Sequence, residues 1–542
     1  MEIGIDAGST LPPRSAVDAR LWWCAFAAVA ALLLLPLFAT EIPPLLDYPN
    51  HLARMTILAD SGRDPVLSRF YSIHWQIVPN IGIDIAMPQL MRIMPLYAAG
   101  KIVVALALLL PLAGVAALNR AIFGVRSYWP LAAGLVAFNR LFFTGFLNFL
   151  IGVGLALLAA ALWERQRNGS PVWRLVAAVV AGLLIFFCHL IAVAFYGLLL
   201  LALECGAAWR LKRIDPKAFL ALAIPFAVPI LLFLHAPISG GGEASVGLVD
   251  AVKHYYWALA NEPHGLKLYG LFGPLLTYYR SIDIAALVVI LAMLIGSAAA
   301  KRLCVAPALA GAALFLLLLY PVTPFFLLQT AWVDQRLPIL IGSLVFAGTL
   351  PAAPSRLTSR LAGAALVIIL MLRSAEVYAQ WSRHDVDIAD FRRVIAPVQP
   401  GDRVLVVQAQ RNADPEAMVN RPDSVSAMRS NDAMMHLPGL LVIERKAFWP
   451  LLFTAATKQP VQVNPPYDAI SLPEGELPWV GGLAAPRPDD LRWAPYLAGW
   501  EGKFDWVLVL WPEEVPDGYS LLPDRLALAA KGQVAALYRI RR

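Results

Sequence analysis

Within nine residues, Leu46-Asp47-Tyr48-Pro49-Asn50-His51-Leu52-Ala53-Arg54 offers a carboxylate, an imidazole and a guanidinium. If a helix starts at Asp47, Pro49 falls in its first turn, where a missing backbone N–H costs nothing. Asp47, His51 and Arg54 then stand at i, i+4 and i+7 on one face. A carboxylate so placed can take a proton from a hydroxyl. A guanidinium beside it can hold an anionic group, phosphate above all. The cations nearby are expected to favour the ionised form of Asp47. The plainer alternative is that Asp47 only caps the helix and its neighbours are ordinary surface partners.

What positions this segment follows from composition. The chain has 542 residues, 59% of them apolar and 15% charged, with a mean hydropathy of +0.64. A soluble protein is less apolar and more charged. Residues 1–379 carry only 26 Lys/Arg and 17 Asp/Glu, whereas residues 380–542 carry 18 and 20, a soluble density. The reading is a membrane domain over 1–379 followed by a soluble domain over 380–542. A spanning helix needs about 20 apolar residues. Eleven candidates occur, at 21–40, 99–118, 128–141, 147–163, 174–188, 190–208, 218–235, 283–300, 303–321, 337–352 and 359–378. The first ends in Glu41-Ile42-Pro43-Pro44 and does not read as a cleaved signal.

Orientation follows from charge. With eleven spans and the N-terminus inside, the cytoplasmic segments hold 15 Lys/Arg, and the three short outer turns hold only Arg140 and Arg336. This agrees with the positive-inside rule and puts the C-terminal domain on the extra-cytoplasmic face of the plasma membrane. The net charge of +7 is therefore a membrane signature. No nucleic-acid motif or aromatic-interleaved basic stripe accompanies it. The four cysteines, Cys24, Cys188, Cys205 and Cys304, lie in or beside apolar segments without a CxxC pair, so neither a disulfide framework nor a zinc site is expected.

In this topology all eight histidines fall on the outer side, and the helix centres are almost free of ionisable groups. The two long outer loops are 41–98 and 236–282. The first contains an amphipathic stretch, Ile83–Met91, suited to the membrane interface. The second carries Gly240–Gly242 and then an aromatic, His-containing segment. Arg54, Arg140, Arg280 and Arg336 are the outer-face arginines whose planar forks could hold an anionic group. Arg336 has the alternative of pairing with Asp334, and Arg140 of snorkelling from its tight turn. His189 reads either as a site residue or as a hydrogen-bonded helix end. Asn139 and Asn148 read as hairpin caps, and Tyr278, Tyr279 and Trp332 as interfacial belt residues. His235, His254 and His264 with Glu243 or Glu262 fit no compact metal-ligand spacing.

The tail alternates strand and helix signals. Strands are expected at 404–408, 440–443, 506–510 and 534–538, helices at 385–396, 487–499 and 523–531, and an irregular excursion at 460–488. The fold class is thus a polytopic α-helical membrane protein with about eleven spans and a C-terminal α/β domain.

A first span followed by a long outer loop opening with an acidic residue resembles the GT-C superfamily of membrane glycosyltransferases. The run Phe138–Gly152 (FNRLFFTGFLNFLIG), the outer-end histidine in Phe187-Cys188-His189-Leu190 and a soluble domain after the last span are similar to bacterial members. The resemblance covers roughly residues 20–380. It implies transfer of a sugar from a polyprenyl-phosphate donor to an envelope glycan, lipid or protein acceptor on the outer face, with Asp47 at the position of the catalytic base. His51, Arg54, Arg140, His189, Arg280 and Arg336 are then candidates to bind substrate. The family often shows a paired acidic motif. Here Asp47 stands alone, with Glu41 six residues earlier, which leaves open both the identity of the base and a divalent cation as cofactor. Two other readings compete: a non-catalytic membrane protein of envelope polysaccharide assembly, and a transporter. The latter is disfavoured by the apolar helix centres.

Overall fold

The structure, a computed structural model, describes residues 17–236, 265–327, 330–353, 355–409, 434–512 and 521–542. The helices among the described residues, in chain order, are α1 (Ala19–Leu34), α2 (Tyr48–Asp60), α3 (Pro65–Phe70), α4 (Gly82–Leu90), α5 (Leu96–Phe123), α6 (Arg140–Thr144), α7 (Leu147–Arg165), α8 (Pro171–Cys188), α9 (Leu190–Leu211), α10 (Pro216–Ala221), α11 (Ile224–His235), α12 (Gly265–Gly270), α13 (Arg280–Ala299), α14 (Pro307–Leu319), α15 (Val333–Gly348), α16 (Arg356–Ile395), α17 (Gly439–Arg445), α18 (Pro488–Trp493) and α19 (Trp500–Lys503). Among the described residues, eight helical segments are long and apolar enough to cross a membrane: Ala19–Phe38, Leu96–Phe123, Leu147–Arg165, Pro171–Cys188, Leu190–Leu211, Pro216–His235, Arg280–Ala299 and Arg356–Ile395.

The other three expected spans take different forms. Residues 128–141 give a 3-10 helix, Trp129–Val136, and then the first residues of α6. The eight residues of the 3-10 helix rise only about 16 Å at about 2.0 Å each, and with α6 they carry the chain from Trp129, bonded to Thr349 beside the end of α5, back to the Asp47 side. The segment packs against α1, α5, α15 and α16. That protein lining is what permits irregular backbone at membrane depth. Pro307–Val322 is a shorter apolar helix. α15 has 16 residues and is buried along most of its length. Conversely, the last span and the tail helix expected at 385–396 are one element: α16 runs for 40 residues, about 60 Å at 1.5 Å per residue, twice the hydrocarbon thickness.

The strands are β1 (Tyr71–Ile73), β2 (Cys304–Val305), β3 (Thr349–Leu350), β4 (Val404–Gln408), β5 (Val461–Val463), β6 (Trp506–Leu510), β7 (Leu526–Lys531) and β8 (Ala535–Ile540). The tail sheet has the order β4-β6-β8-β7, with β4 parallel to β6 and the other pairs antiparallel. β4 and β6 are fully buried, as their unbroken apolar runs require. Two expectations are corrected. Leu440–Ile443 is not a strand but part of α17, because a four-residue apolar run carries no period that separates a strand from a buried helix. Residues 523–531 are not a helix: Leu526–Lys531 is an edge strand paired with β8. The helix expected at 487–499 shortens to α18 and a 3-10 turn, Pro495–Leu497.

The tail is stitched to the first long loop. β5 pairs antiparallel with β1, Tyr71 opposite Val463. The Asn50 amide donates to Leu451 O at 3.0 Å and accepts from Phe453 N at 2.8 Å. Lys446 pairs with Asp64 at 2.5 Å. Arg392 bridges Glu41 and Glu444, both at 2.7 Å, and Glu444 also accepts from Tyr97. The region expected to be an irregular excursion thus contains the strand that docks the two parts.

Candidate active site

Asp47 sits at the N-cap position of α2 with Pro49 in the first turn, as the sequence implies, but its side chain makes no capping hydrogen bond. The capping alternative therefore does not account for it. Its backbone is held by the Phe138–Gly152 run: Leu46 N donates to Phe143 O at 2.8 Å and Asp47 N to Thr144 O at 3.0 Å. The run can approach so closely because Gly145, at φ +93°, ends α6 without a side chain. The Asp47 carboxylate is only 17% exposed, and Oδ1 lies 3.3 Å from His436 Nδ1.

Burial dominates the electrostatics. The Asp47 carboxyl is pushed up to about 8, first by its removal from water and then by Glu474, while Arg54 and Arg336 pull it down. Its cations do favour ionisation, as the sequence suggests, but in this buried site the desolvation cost exceeds their attraction. The same burial, with the charge of Arg54 and the neighbouring His436, holds His51 well below the usual histidine range. Burial brings His436 down to about 4. Both imidazoles are therefore neutral at physiological pH.

The structure brings some of the predicted residues together. Arg336 lies over the Phe146 ring at 4.7 Å and the Phe149 ring at 5.6 Å. Its Nη1 donates to Ala331 O at 2.6 Å, and its buried Nε has no hydrogen-bond partner. Asp334 is the stronger of the two carboxylates that act on Arg336 and Asp47 the weaker, and its own charge also reaches His189. Asp334 takes Lys267 at 2.7 Å. His189 packs edge-on against Phe149 at 5.4 Å, and its Nδ1 accepts from Ile191 N at 3.1 Å. It is thus a helix cap and a site neighbour at once. His51 faces Phe453.

Other predicted residues are engaged elsewhere. Arg54 is buried and bidentate on Asp84, at 2.6 and 3.1 Å, tying α2 to α4, although its charge still reaches Asp47. Arg140 lies over the Trp332 ring at 4.6 Å, so this belt candidate is a packing partner. Arg280 is exposed at the start of α13. Asn139 caps α6, whereas Asn148 pins residues 80–83 through Asn80 O and Ile83 N. His235 hydrogen-bonds to its own helix at Leu231 O. His254, His264, Glu243, Glu262 and Gly240–Gly242 lie outside the described residues.

Sequence reasoning missed three features: the approach of His436 and Glu474 from the tail, the Arg54–Asp84 pair, and a buried ionic network inside the spans. In that network Arg373 of α16 donates to Asp283 at 2.8 Å, Phe138 O at 3.1 Å and Leu275 O at 2.9 Å. Glu376 accepts from Tyr279 N at 2.5 Å. It fastens the start of the Phe138–Gly152 run to α13 and α16. The signal available in the sequence was a charged pair, Arg373 and Glu376, in an otherwise apolar span.

Among the described residues, no three His, Cys, Asp or Glu side chains gather as a cation site. An apolar groove of about 200 Å³, lined by residues of α7, α8 and α9 including Trp163 and Arg174, contains none of the site residues.

The fold and site together define a polytopic helical membrane protein with a dry, polar site at the seam between its spans and a docked C-terminal sheet domain. The chain is similar in fold to the crystal structure of ArnT from Cupriavidus metallidurans bound to undecaprenyl phosphate, with a TM-score of 0.47 and 13% identity, over 96% of this chain and 98% of that chain. No family model and no curated protein matches it.

Proposed function

We propose that the protein is a membrane glycosyltransferase that moves a sugar from a polyprenyl-phosphate donor to an acceptor on the extra-cytoplasmic face. The observation that carries the reading is the Asp47–Arg336 arrangement. A carboxylate relieved of capping duty stands within the field of a guanidinium whose buried Nε is unpartnered. A group that takes a proton and a group that holds a phosphate are what such a transfer requires. The GT-C resemblance of the sequence implies the same residue as base, and the excess of Lys/Arg in the other set of loops supports the orientation.

In the reaction, the acceptor hydroxyl gives its proton to the Asp47 carboxylate. The acceptor oxygen bonds to the anomeric carbon, the bond from that carbon to the phosphate oxygen breaks, and polyprenyl phosphate leaves. Arg336 offsets the charge on the departing phosphate, and His189 and Phe149 fix the wall beside it. Glu41, the other acidic candidate, is paired with Arg392 and serves the docking of the tail.

The test is transfer from a labelled polyprenyl-phosphate sugar by purified protein in lipid. Asp47→Asn keeps the shape but cannot accept a proton, so transfer falls by roughly 10²–10⁴-fold, the usual share of general-base catalysis, while Glu41→Gln remains active. Full activity in Asp47→Asn removes Asp47 from the mechanism. No transfer by the unmodified protein from any polyprenyl-phosphate sugar removes the reading itself.

A further inference from the structure

The tail is more than an appendage, because it delivers a side chain to Asp47. Three contacts set that side chain. The backbone at Gly439, the first residue of α17, backs so closely on α2 that a Cβ there would lie 2.6 Å from Pro49 O. The Asn50 amide clamps the chain at Leu451 and Phe453. Phe453 then stands edge-on to both imidazoles, at 5.5 Å from His51 and 5.1 Å from His436, with Trp449 at 6.1 Å closing the other side of His436. His436 Nδ1 is left buried, 3.3 Å from Asp47 Oδ1, without an aligned hydrogen bond. An unpaired buried polar atom this close to a carboxylate is costly unless the pair closes at some stage of the working cycle.

We propose that the C-terminal domain completes the active site and that His436 is a positioning residue, its Nδ1–H holding the Asp47 carboxylate toward the acceptor hydroxyl. The inference rests on Asp47 as the base and gives the tail a part in the chemistry. A neutral imidazole suits this role, since a dipole can orient a carboxylate in a dry site without adding a second charge to be buried. The charged groups that act on Asp47 are Arg54 from α2, Arg336 from α15 and Glu474 from the tail, and His51 shares α2 with it. Of these, the His51 ring is turned to Phe453, and the other three bring a charge rather than a neutral donor.

The experiment uses the full chain in lipid with His436→Phe, which keeps the ring, and His436→Asn, whose amide can donate from the place of Nδ1. His436→Phe is expected to lower kcat by about 10–100-fold, the scale of a misplaced catalytic group. KM should change little, and the rising limb of the kcat/KM profile should move to higher pH, because the carboxylate has lost a donor. His436→Asn is expected to recover most of the loss. Thermal unfolding against pH, measured for His436→Phe, Asp47→Asn and the double variant, reads the same pair without any assay of transfer. Above about pH 7.5 the imidazole is neutral in the folded and the unfolded chain, so any effect of His436→Phe on the pH dependence there should vanish when Asp47 is already Asn. The proposal is overturned if His436→Phe keeps the unmodified kcat and pH profile, or if above about pH 7.5, where the imidazole no longer titrates, it shifts the unfolding profile equally in the Asp47→Asn background, the signature of packing alone. Should the unmodified protein transfer nothing, the glycosyltransferase reading fails by itself, and the unfolding cycle still decides whether His436 acts on Asp47.

Discussion

Gly145 presses on Asp47: with φ at +93°, a Cβ on the glycine would lie 3.2 Å from both the Asp47 Cβ and its backbone nitrogen. An alanine here meets strain on two counts, the left-handed backbone and the tight contact. Gly145→Ala should cost about 1–3 kcal/mol of stability. It should also lower transfer roughly 10²-fold by shifting the carboxylate. Gly124 has φ +71° with nothing within 4 Å of a Cβ. Gly124→Ala is thus the control, expected to cost stability through the same backbone strain but to leave transfer intact. Equal losses of transfer in both would show that the contact with Asp47 is immaterial.

The raised carboxyl of Asp47 sets two pH dependences with opposite signs. Transfer needs the ionised form, so kcat/KM should rise with pH and level off above about 8. Stability should run the other way. The folded state binds this proton more tightly than the unfolded chain, so between the unfolded value near 4 and the folded value near 8 the protein loses stability as pH rises. Asp47→Asn should remove that loss, making the variant more stable than the unmodified protein at pH 8 and little different at pH 4. Unfolding midpoints measured across this window check the sign. A variant that is less stable at the alkaline end would mean that the carboxylate is ionised and supported in the fold.

Arg54 and Asp84 make a bidentate pair with almost no exposure. Removing one partner strands the other charge in the dry seam between α2 and α4. Arg54→Ala or Asp84→Asn should therefore cost about 3–5 kcal/mol. Replacing both by leucine should cost less than either single change, since no unpaired charge remains. The cycle is read from unfolding in detergent. If the single changes cost nothing measurable, the pair does not hold α2.

What could be read from the sequence and what could not divide along physical lines. Hydropathy found the long spans because twenty apolar residues in a row carry their own evidence. It could not tell that 128–141 is no regular helix, since its irregular backbone is tolerated only because other helices surround it. The Asp47 segment was legible through local spacing on α2, and the Phe138–Gly152 run through its family resemblance, although neither signal tells that the two touch. His436 was not legible as a partner. It comes from far along the chain through a docking that involves Asn50, β1 and β5, and no periodicity encodes such a contact. The balance between burial and charge at Asp47 was not legible for a related reason. The sequence displays the neighbouring cations, but the burial that outweighs them exists only in the fold.

The arginines give the sharpest test of how the donor is held. Four guanidiniums are candidates by chemistry, and their surroundings rank them. Arg280 is exposed. Arg54 also has a buried, unpartnered nitrogen, Nη1, but its charge is already matched by the bidentate pair with Asp84. Arg140 lies over Trp332. Arg336 combines burial, a backbone acceptor at Ala331, two phenyl rings that fix its plane and an unpartnered Nε. A phosphate oxygen would satisfy that Nε, and the fork of a guanidinium can engage two such oxygens at once. Arg336→Ala should therefore weaken binding of a labelled polyprenyl phosphate by about 10–100-fold, the equivalent of about 1.5–3 kcal/mol for a charged hydrogen bond. Arg336→Lys should recover only part of this, because an ammonium keeps the charge but not the planar fork or the stacking on Phe146. Arg280→Ala should bind within about twofold of the unmodified protein, as expected of a solvated charge. Binding that is unchanged in Arg336→Ala but lost in Arg140→Ala would move the phosphate to the Trp332 side of α6. Full recovery by lysine would show that charge alone, without the fork, holds the donor.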